Sequence, residues 1–316
     1  MLGGRVSDYR VLYMVGPGRS GSTVIGEILG QSQHVANGGE LLLWWMARQS
    51  SPARRCGCGE RLDTCEFWTK VSQVHPALSS PDPAVVAGLY RFRRFSTWPG
   101  LWWKSRNGQV AAPQVTELMV QLYDAIALVS GSSVIVDSSK SPGYRLLLFG
   151  SNLQVQTLQL QRDPRSVVNS WRHEKRDPTS PGDSLFAIHP LRSTVEWIAQ
   201  TLATRWFIAP RLRPHGFTVE TYEDFVQHPR RHTESLLAFA GLDERESLFH
   251  DDTHIHLEPT HNLAGNPGRR GATERQISLH ERWPDELPTS LYLFVTVACA
   301  PWLSRYRYRF SRRSSS

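Results

Sequence analysis

The stretch VGPGRSGST at residues 15–23 has the residue types and spacing of a phosphate-binding loop. Its glycines have the separation found in P-loops, and Thr23 occupies the position of the hydroxyl that binds Mg²⁺. The P-loop lysine, however, is replaced by Ser22, and the nearest cation is Arg19 in the middle of the loop. The sequence therefore predicts a loop that binds an anion other than the phosphate tail of a magnesium nucleotide.

Three further polar clusters follow predicted strands or lie in a glycine-rich loop. They are Asp137-Ser138-Ser139-Lys140, Arg162 with Ser170 in the helix after it, and Arg269-Arg270-Gly271. Ligands of open parallel sheets bind at the carboxyl ends of the strands, so we expect these clusters to meet there. Together with the loop they supply five cations, and Asp137 is their only acidic residue. This composition favours an anionic donor that reacts without a metal ion.

Alternating strands and helices must position these clusters. Apolar runs predict strands at 11–16, 133–139, 155–162 and 217–222. Helical spacing of apolar residues predicts helices at 22–30, 114–130 and 191–208, and Asp163 and Pro164 have the residue types of the cap and first position of another helix. This order predicts an α/β fold, a P-loop-like three-layer sandwich whose central parallel sheet is flanked by helices. We interpret residues 1–316 as a single domain.

The segment 45–110 has no clear period and is rich in Pro, Ser, Trp and Cys. We interpret it as a lid or insertion over the carboxyl edge of the sheet. Aromatic faces suit both apolar and sugar ligands, so its tryptophans predict an apolar or sugar-stacking cleft. The tryptophans in or just before this segment are Trp44, Trp45, Trp68, Trp98, Trp102 and Trp103.

These motifs, in this order, resemble those of the sulfotransferases that use 3′-phosphoadenosine 5′-phosphosulfate (PAPS). GPGRSGST resembles their 5′-phosphosulfate loop in the form found in carbohydrate and tyrosylprotein sulfotransferases. RDPRSVVNS is similar to their 3′-phosphate motif, and RRG at 269–271 to the late loop that grips the same phosphate. The sequence YED at 222–224 also recurs in this family after a strand.

The resemblance implies a role for each cluster. The 5′-phosphosulfate would be held by Arg19, Ser20, Gly21, Ser22 and Thr23. The 3′-phosphate would be held by Arg162, Ser170, Arg269, Arg270 and Gly271. Arg19 would take the place of both the P-loop lysine and the metal, since a guanidinium presents a rigid fork to two oxyanion oxygens. Lys140 would contact the sulfuryl group.

An acceptor hydroxyl or amine needs a general base, and we expect this base to be Glu40. The segment NGGEL at 37–41 resembles the Gly-Glu segment that carries the catalytic Glu of carbohydrate and tyrosylprotein sulfotransferases. The cytosolic branch uses a His in a Lys-x-His motif, but here Lys140 is followed by Ser and Pro. His261 is a rival candidate for the base, or it shapes the cofactor loop.

The cysteines of CGCGERLDTCEFW, residues 56–68, could hold zinc, form a disulfide or stabilise the lid. Cys56, Cys58 and Cys65 are only three ligands, and Cys299 is distant in sequence, so we predict no metal site. Similar cysteine-bearing segments occur in bacterial relatives of the resembling family. The pair of imidazoles in HIH at 254–256 has no third ligand nearby in sequence, and a surface strand is predicted there instead.

Charge and composition limit the classes of partner that the protein could bind. The net charge of +7 favours anionic ligands, but the interior of the sequence has no run of basic and aromatic residues that predicts nucleic-acid binding. The late apolar run at 291–303 is too short to span a bilayer, and the N-terminus has no apolar signal region. A bacterial cytoplasmic enzyme is the expectation. Its acceptor could be a small molecule, a glycan or a lipid.

Two other functions fit parts of the pattern. A P-loop small-molecule kinase would need a lysine where Ser22 stands. A non-catalytic nucleotide-binding protein of the same fold would have little use for the full set of cations. Magnesium-dependent ATP hydrolysis would identify the first, and nucleotide binding without turnover would identify the second.

Overall fold

A five-stranded parallel sheet forms the centre of the computed structural model, which describes residues 8–50, 54–174, 186–212, 215–243, 247–263 and 273–312. The strand order is β2-β3-β1-β4-β5. The strands are β1 (Arg10–Val15), β2 (Val35–Gly39), β3 (Val134–Lys140), β4 (Gln154–Gln161) and β5 (Phe217–Thr221). All neighbouring pairs are parallel, which confirms the predicted α/β class.

Both faces of this sheet are covered, which gives three layers. Alternate residues of a strand point to opposite faces. Val11, Tyr13 and Val15 belong to one apolar core and Leu12 and Met14 to another. Helices pack on each core, so strand β1 is buried on both sides and has an almost continuous apolar sequence.

The helices confirm those predicted from apolar spacing and add many that were not. The first group in chain order comprises α1 (Ser22–Leu29), α2 (Trp44–Gln49), α3 (Glu66–Val74), α4 (Pro76–Ser79), α5 (Pro83–Arg91), α6 (Trp98–Arg106), α7 (Pro113–Ser130) and α8 (Pro142–Leu147). The second comprises α9 (Pro164–Arg172), α10 (Pro190–Ala203), α11 (Ala209–Leu212), α12 (Tyr222–Gln227), α13 (Pro229–Phe239), α14 (Trp283–Glu286), α15 (Thr289–Ala298) and α16 (Ala300–Arg305). A π-helical turn, Thr204–Ile208, joins α10 to α11.

Strand β2 was not predicted, and its composition explains why. Its sequence VANGG has only two apolar residues and ends in two glycines. It is an edge strand that pairs with β3 alone within the sheet, so it is held by tertiary pairing rather than by strand propensity. This strand matters because it delivers Glu40.

The prediction that the tryptophans of the lid segment form a ligand-stacking cleft was largely wrong. Trp44, Trp45 and Trp68 are buried in the core, where Trp44 contacts the other two with ring centroids 5.0 and 6.1 Å away. Trp102 is half-buried against the same core, and Trp103 is exposed. Trp98 lines the cleft described below, although it too is mostly buried. Large aromatic rings here mainly fill the space between helices.

A small antiparallel pair lies outside the central sheet. It consists of β6 (His254–Leu257) and β7 (Thr273–Gln276), which confirms the strand predicted for the HIH sequence. His256 contacts the carboxylates of Glu258 and Glu274, so it has an ordinary surface role. Within the described part of the chain, no helix combines the length and apolarity that a bilayer crossing needs.

Candidate active site

The turn between β1 and α1 has a backbone that only particular residues tolerate. Gly16 has φ of +135° and Gly21 has φ of +88°, both in the region that favours glycine. A Cβ at Gly16 would overlap the carbonyl oxygen of Leu160, and one at Gly21 would overlap the ring of Tyr222. The turn therefore lies directly against the ends of neighbouring elements. Its N–H groups and the N-terminus of α1 form a place for an anion.

Arg19 sits at the apex of this turn with φ of +67°, a left-handed conformation that is uncommon for a residue with a side chain. Its guanidinium lies over the ring of Trp171, 4.4 Å from the ring centroid. Its Nε and Nη2 atoms are buried and have no hydrogen-bond partner among the described residues. Burial lowers the pKa of Arg19, and the nearby charge of Glu40 opposes this shift. Buried N–H groups of a cation are costly when unpaired, so this geometry calls for an anionic ligand.

Arg162 follows β4 and, like Arg19, combines an aromatic ring contact with an unpaired buried nitrogen. Its guanidinium lies over the ring of Tyr222, 4.4 Å from the centroid, and its Nη1 donates to the carbonyl oxygen of Arg19 at 3.1 Å. Its Nε is buried without a partner in the described chain. Asp163 caps α9 by accepting from the N–H of Arg165 at 2.8 Å, as predicted from the sequence. Ser170, two turns along the same helix, lines the same cleft.

Lys140 and Glu40 meet at the edge of this cleft although they are far apart in sequence. The ammonium of Lys140 lies 2.6 Å from Oε1 of Glu40, 3.3 Å from Oγ of Ser22 and 2.9 Å from the carbonyl oxygen of Ser138. The side chains are partly exposed, Glu40 by 26% and Lys140 by 16%. A carboxylate and a cation therefore stand side by side where both can reach a ligand.

Asp137, the only acid of the predicted clusters, is a structural residue. It is fully buried, and it accepts from the hydroxyl of Tyr123 at 2.5 Å and from the N–H of Ser139 at 2.7 Å. Burial raises its pKa to about 6. Oγ of Ser139 accepts in turn from the N–H of Leu42 at 3.0 Å, in the turn that follows Glu40. The network thus helps to fix the position of Glu40.

Glu223 lies behind Arg162. Its Oε1 accepts from the N–H of Asp163 at 3.0 Å. Burial raises its pKa to about 7, and the charge of Arg162 opposes this shift. The YED motif at residues 222–224 has no physical role that the sequence alone indicates. The structure gives it one, because Tyr222 supports Arg162 and Glu223 holds the start of α9.

A cleft of about 1020 Å³ collects most of the predicted site residues. Its lining includes Arg19, Gly21, Ser22, Thr23, Glu40, Lys140, Arg162 and Ser170. Ser20 is buried beside it, and its hydroxyl has no partner in the described part of the structure. Arg269, Arg270 and Gly271 lie outside the described residues.

His261 does not line this cleft, although its neighbours Thr260 and Asn262 do. Its Nδ1 instead lies 3.6 Å from Sγ of Cys56 and 3.5 Å from Sγ of Cys65. Among the two bases considered from the sequence, only Glu40 therefore faces the cleft in this structure.

Several cleft residues were missed by sequence reasoning. Trp171 is one, because nothing in a helix sequence shows which loop its side chain will meet. The wall formed by the lid segment contributes four arginines, Arg54, Arg55, Arg93 and Arg94. They lie in irregular stretches between helices, where no periodic pattern indicates the direction of a side chain.

Comparisons with known proteins agree with this geometry. No family model matches the chain. Carbohydrate sulfotransferase 1 from Homo sapiens is 23% identical over 180 residues, which cover 53% of this chain and 42% of that protein. The match thus spans less than half the length of this relative.

Solved structures with the same fold match almost the whole chain. The sulfotransferase domain from the curacin biosynthetic pathway has a TM-score of 0.55 at 17% identity and covers 96% of this chain and 99% of its own. Sulfotransferase STF9 from Mycobacterium avium has a TM-score of 0.51 at 13% identity, covering 98% of this chain and 79% of its own. The sulfotransferase domain of the Synechococcus PCC 7002 olefin synthase has a TM-score of 0.50 at 16% identity, covering 94% and 97%. The chain has the sulfotransferase fold, and the predicted resemblance is confirmed.

Proposed function

We propose that this protein is a PAPS-dependent sulfotransferase that transfers the sulfuryl group to a hydroxyl or amine of an acceptor. One observation carries the proposal. Arg19 and Arg162 share one cleft, each lies on an aromatic ring, and each has at least one buried nitrogen without a partner among the described residues. Two such cations suit a donor with anionic groups at both ends, since charge-assisted hydrogen bonds are the strong ones.

The donor would lie across the carboxyl ends of β1, β3 and β4. Its phosphosulfate would occupy the turn at residues 16–23, where backbone N–H groups and Arg19 are available. Its 3′-phosphate would be held by Arg162 and Ser170, which line the same cleft. The predicted contribution of Arg269, Arg270 and Gly271 to the same phosphate stays a prediction.

Transfer would proceed in line. The acceptor oxygen or nitrogen attacks sulfur and forms the new bond, while the bond from sulfur to the bridging oxygen breaks and adenosine 3′,5′-bisphosphate leaves. Glu40 accepts the proton of the acceptor, and Lys140 exchanges its contact with Glu40 for the sulfuryl oxygens. No step in this scheme uses a metal ion.

The acceptor is proposed to carry negative charge near its reacting group. Arg93 and Arg94 are exposed and line the same cleft as the residues assigned to the donor. The acceptor could be a small molecule, a glycan or a lipid, and the similarity to a carbohydrate sulfotransferase makes acidic glycans the first class to assay.

Transfer of labelled sulfate from PAPS tests the proposal. Acceptors are supplied in neutral and anionic pairs, in buffer without added metal ions, and ATP with Mg²⁺ serves as the alternative donor in a separate reaction. We expect labelled product with PAPS, a preference for the anionic member that decreases in Arg93→Ala/Arg94→Ala, and a loss of about 10²–10⁴-fold in Glu40→Gln. Phosphoryl transfer from ATP instead would make the protein a kinase. Donor binding without transfer to any acceptor class would favour the non-catalytic function.

A further inference from the structure

Three cysteines and one histidine converge at the base of the lid segment. The residues are Cys56, Cys58, Cys65 and His261, and their ligand atoms all lie within 4.8 Å of one another. All four cysteines of the chain are free thiols, and Cys299 lies in a different apolar core. Only three of these ligands are close together in the sequence, because the fourth, His261, follows Cys65 by almost 200 residues.

Three of the distances within this group match the edges of a tetrahedron around a metal ion. Zinc–sulfur bonds of about 2.3 Å and zinc–nitrogen bonds of about 2.0 Å give edges of roughly 3.8 Å between sulfurs and roughly 3.5 Å between sulfur and nitrogen. Sγ of Cys58 and Sγ of Cys65 are 3.8 Å apart. Nδ1 of His261 is 3.6 Å from Sγ of Cys56 and 3.5 Å from Sγ of Cys65. A disulfide would need sulfurs about 2.05 Å apart.

The surroundings hold these ligands in place. The backbone N–H of Cys58 donates to the sulfur of Cys56, and that of Trp68 donates to the sulfur of Cys65. The imidazole of His261 stacks on Phe67, with ring centroids 4.7 Å apart and planes 8° from parallel. The ring is thereby fixed with Nδ1 towards the sulfurs.

The cluster joins three parts of the chain next to the cleft. The N–H of Gly57 donates to the carbonyl oxygen of Asn262 at 3.0 Å, and Cys56 forms a β-bridge with Leu263. Leu263 also bonds to the edge strand: its N–H donates to Gly38 at 3.1 Å, and its carbonyl oxygen accepts from the N–H of Glu40 at 2.9 Å. A metal here would fasten the lid and residues 261–263 to the end of β2 that delivers Glu40.

We propose that Cys56, Cys58, Cys65 and His261 form a structural zinc site that locks the lid segment against the strand preceding Glu40. Three sulfurs and one nitrogen in a tetrahedron select zinc among the common divalent ions. All four positions are supplied by the protein, so the site is closed and not catalytic. Binding would replace the thiol protons of the three cysteines with the ion. The proposal does not depend on sulfuryl transfer, since it concerns the assembly of the fold.

Metal analysis of the purified protein tests this site without any assay of activity. We expect about one zinc per chain in the wild type and in Cys299→Ala, a control that alters a buried cysteine elsewhere, and at least a roughly 10-fold lower content in Cys58→Ser. A second measurement does not depend on the folding of Cys58→Ser: wild-type protein is stripped with a chelator and titrated with Co²⁺. A thiolate-to-cobalt charge-transfer band that saturates at one equivalent is expected.

Three results would overturn the proposal. The first is wild-type protein, grown with added zinc, that has no stoichiometric metal and gives no cobalt band. The second is a zinc content in Cys58→Ser equal to that of Cys299→Ala. The third is a Cys58–Cys65 disulfide in peptide maps of the freshly purified protein. Donor binding is measured separately on the same samples, so failure of the zinc site and failure of the proposed function are distinguishable.

Discussion

Arg19 and Arg165 occupy two neighbouring regions and have opposite surroundings. Arg165, in the first turn of α9, lies over Trp283 at 4.2 Å and pairs with Asp163 through bonds of 2.9 and 2.6 Å. Arg19, in the cleft, lies over Trp171 at 4.4 Å, but no carboxylate bonds to it among the described residues. Each arginine has an aromatic support, and only one has a counter-ion.

This difference distinguishes a structural arginine from a ligand-binding one. Arg165 retains one unpaired nitrogen, Nη1, but its charge is neutralised within the fold. Among the described residues no carboxylate bonds to Arg19, so its charge is available to a ligand that enters the cleft. Removing Arg165 should therefore weaken the fold, whereas removing Arg19 should weaken binding and catalysis.

The largest expected effect is on stability, in Arg165→Met. The change leaves the buried carboxylate of Asp163 without its cation, which should lower the free energy of unfolding by about 3–5 kcal/mol. Denaturant unfolding measures it. The double variant Asp163→Asn/Arg165→Met should recover part of the loss, since an Asn keeps the helix cap without the charge. A loss below about 1 kcal/mol would show that the ion pair of Arg165 with Asp163 does not stabilise the fold in the way proposed.

Arg19→Ala should give the next largest effect, on catalysis. Loss of a positioned cation from the transferring group should lower kcat/KM by about 10²–10³-fold, or roughly 3–4 kcal/mol. Stability should change little, because the residue has no counter-ion bonded to it in the fold. Steady-state kinetics and denaturant unfolding are measured together, with Arg19→Lys as the variant that keeps the charge without the fork. A drop in stability as large as that of Arg165→Met would erase the distinction between the two regions.

Glu223 lies between Arg162 in the cleft and the start of α9, and its ionisation should make the stability of the protein depend on pH. Its pKa is raised from 4.5 to about 7, so the native state binds the proton more tightly than the unfolded chain. Stability carried by this group is therefore present below pH 4.5 and lost as pH rises to 7, by up to about 3 kcal/mol. Glu223→Gln should gain stability relative to the wild type over that range. Unfolding curves from pH 4.5 to 8 measure the difference, and a constant difference would contradict the assignment.

The smallest expected effect concerns the aromatic supports themselves. Trp171→Leu should weaken binding of PAPS by about 2–5-fold, because a cation–π contact is worth about 0.5–1 kcal/mol. Trp283→Leu, at the other arginine, should leave that affinity unchanged in protein that folds. Equal losses in both variants would mean that the two tryptophans act only through general packing. Calorimetric titration resolves changes of this size.

Local sequence signals predicted the parts of the site that local structure builds. The turn with Arg19 and the capped helix after Arg162 each depend on neighbouring residues, so their types and spacing were sufficient. Strand β2 was missed because its pairing with β3, about 100 residues away, decides its conformation. The tryptophans of the lid were assigned to a cleft because composition alone does not distinguish a ring packed in a core from one that lines a surface.

The fourth ligand of the cysteine cluster also could not be predicted from local sequence signals. His261 follows the cysteines by about 200 residues, and it is brought beside them by the pairing of Cys56 with Leu263 and the hydrogen bond from Gly57 to Asn262. Arg93 and Arg94 are similar, since they lie between α5 and α6 and their directions depend on how those helices pack. Sequence spacing is thus informative within one turn or helix, and tertiary pairing determines the rest.

Calorimetric titration with adenosine 3′,5′-bisphosphate, with 5′-AMP as the matched ligand, tests the central claim most directly. We expect the bisphosphate to bind at least about 10-fold more tightly in buffer without Mg²⁺, and Arg162→Ala to remove that advantage while leaving the affinity for 5′-AMP unchanged. Equal affinities for the two ligands in the wild type would eliminate the 3′-phosphate site, and the proposed sulfotransferase function with it.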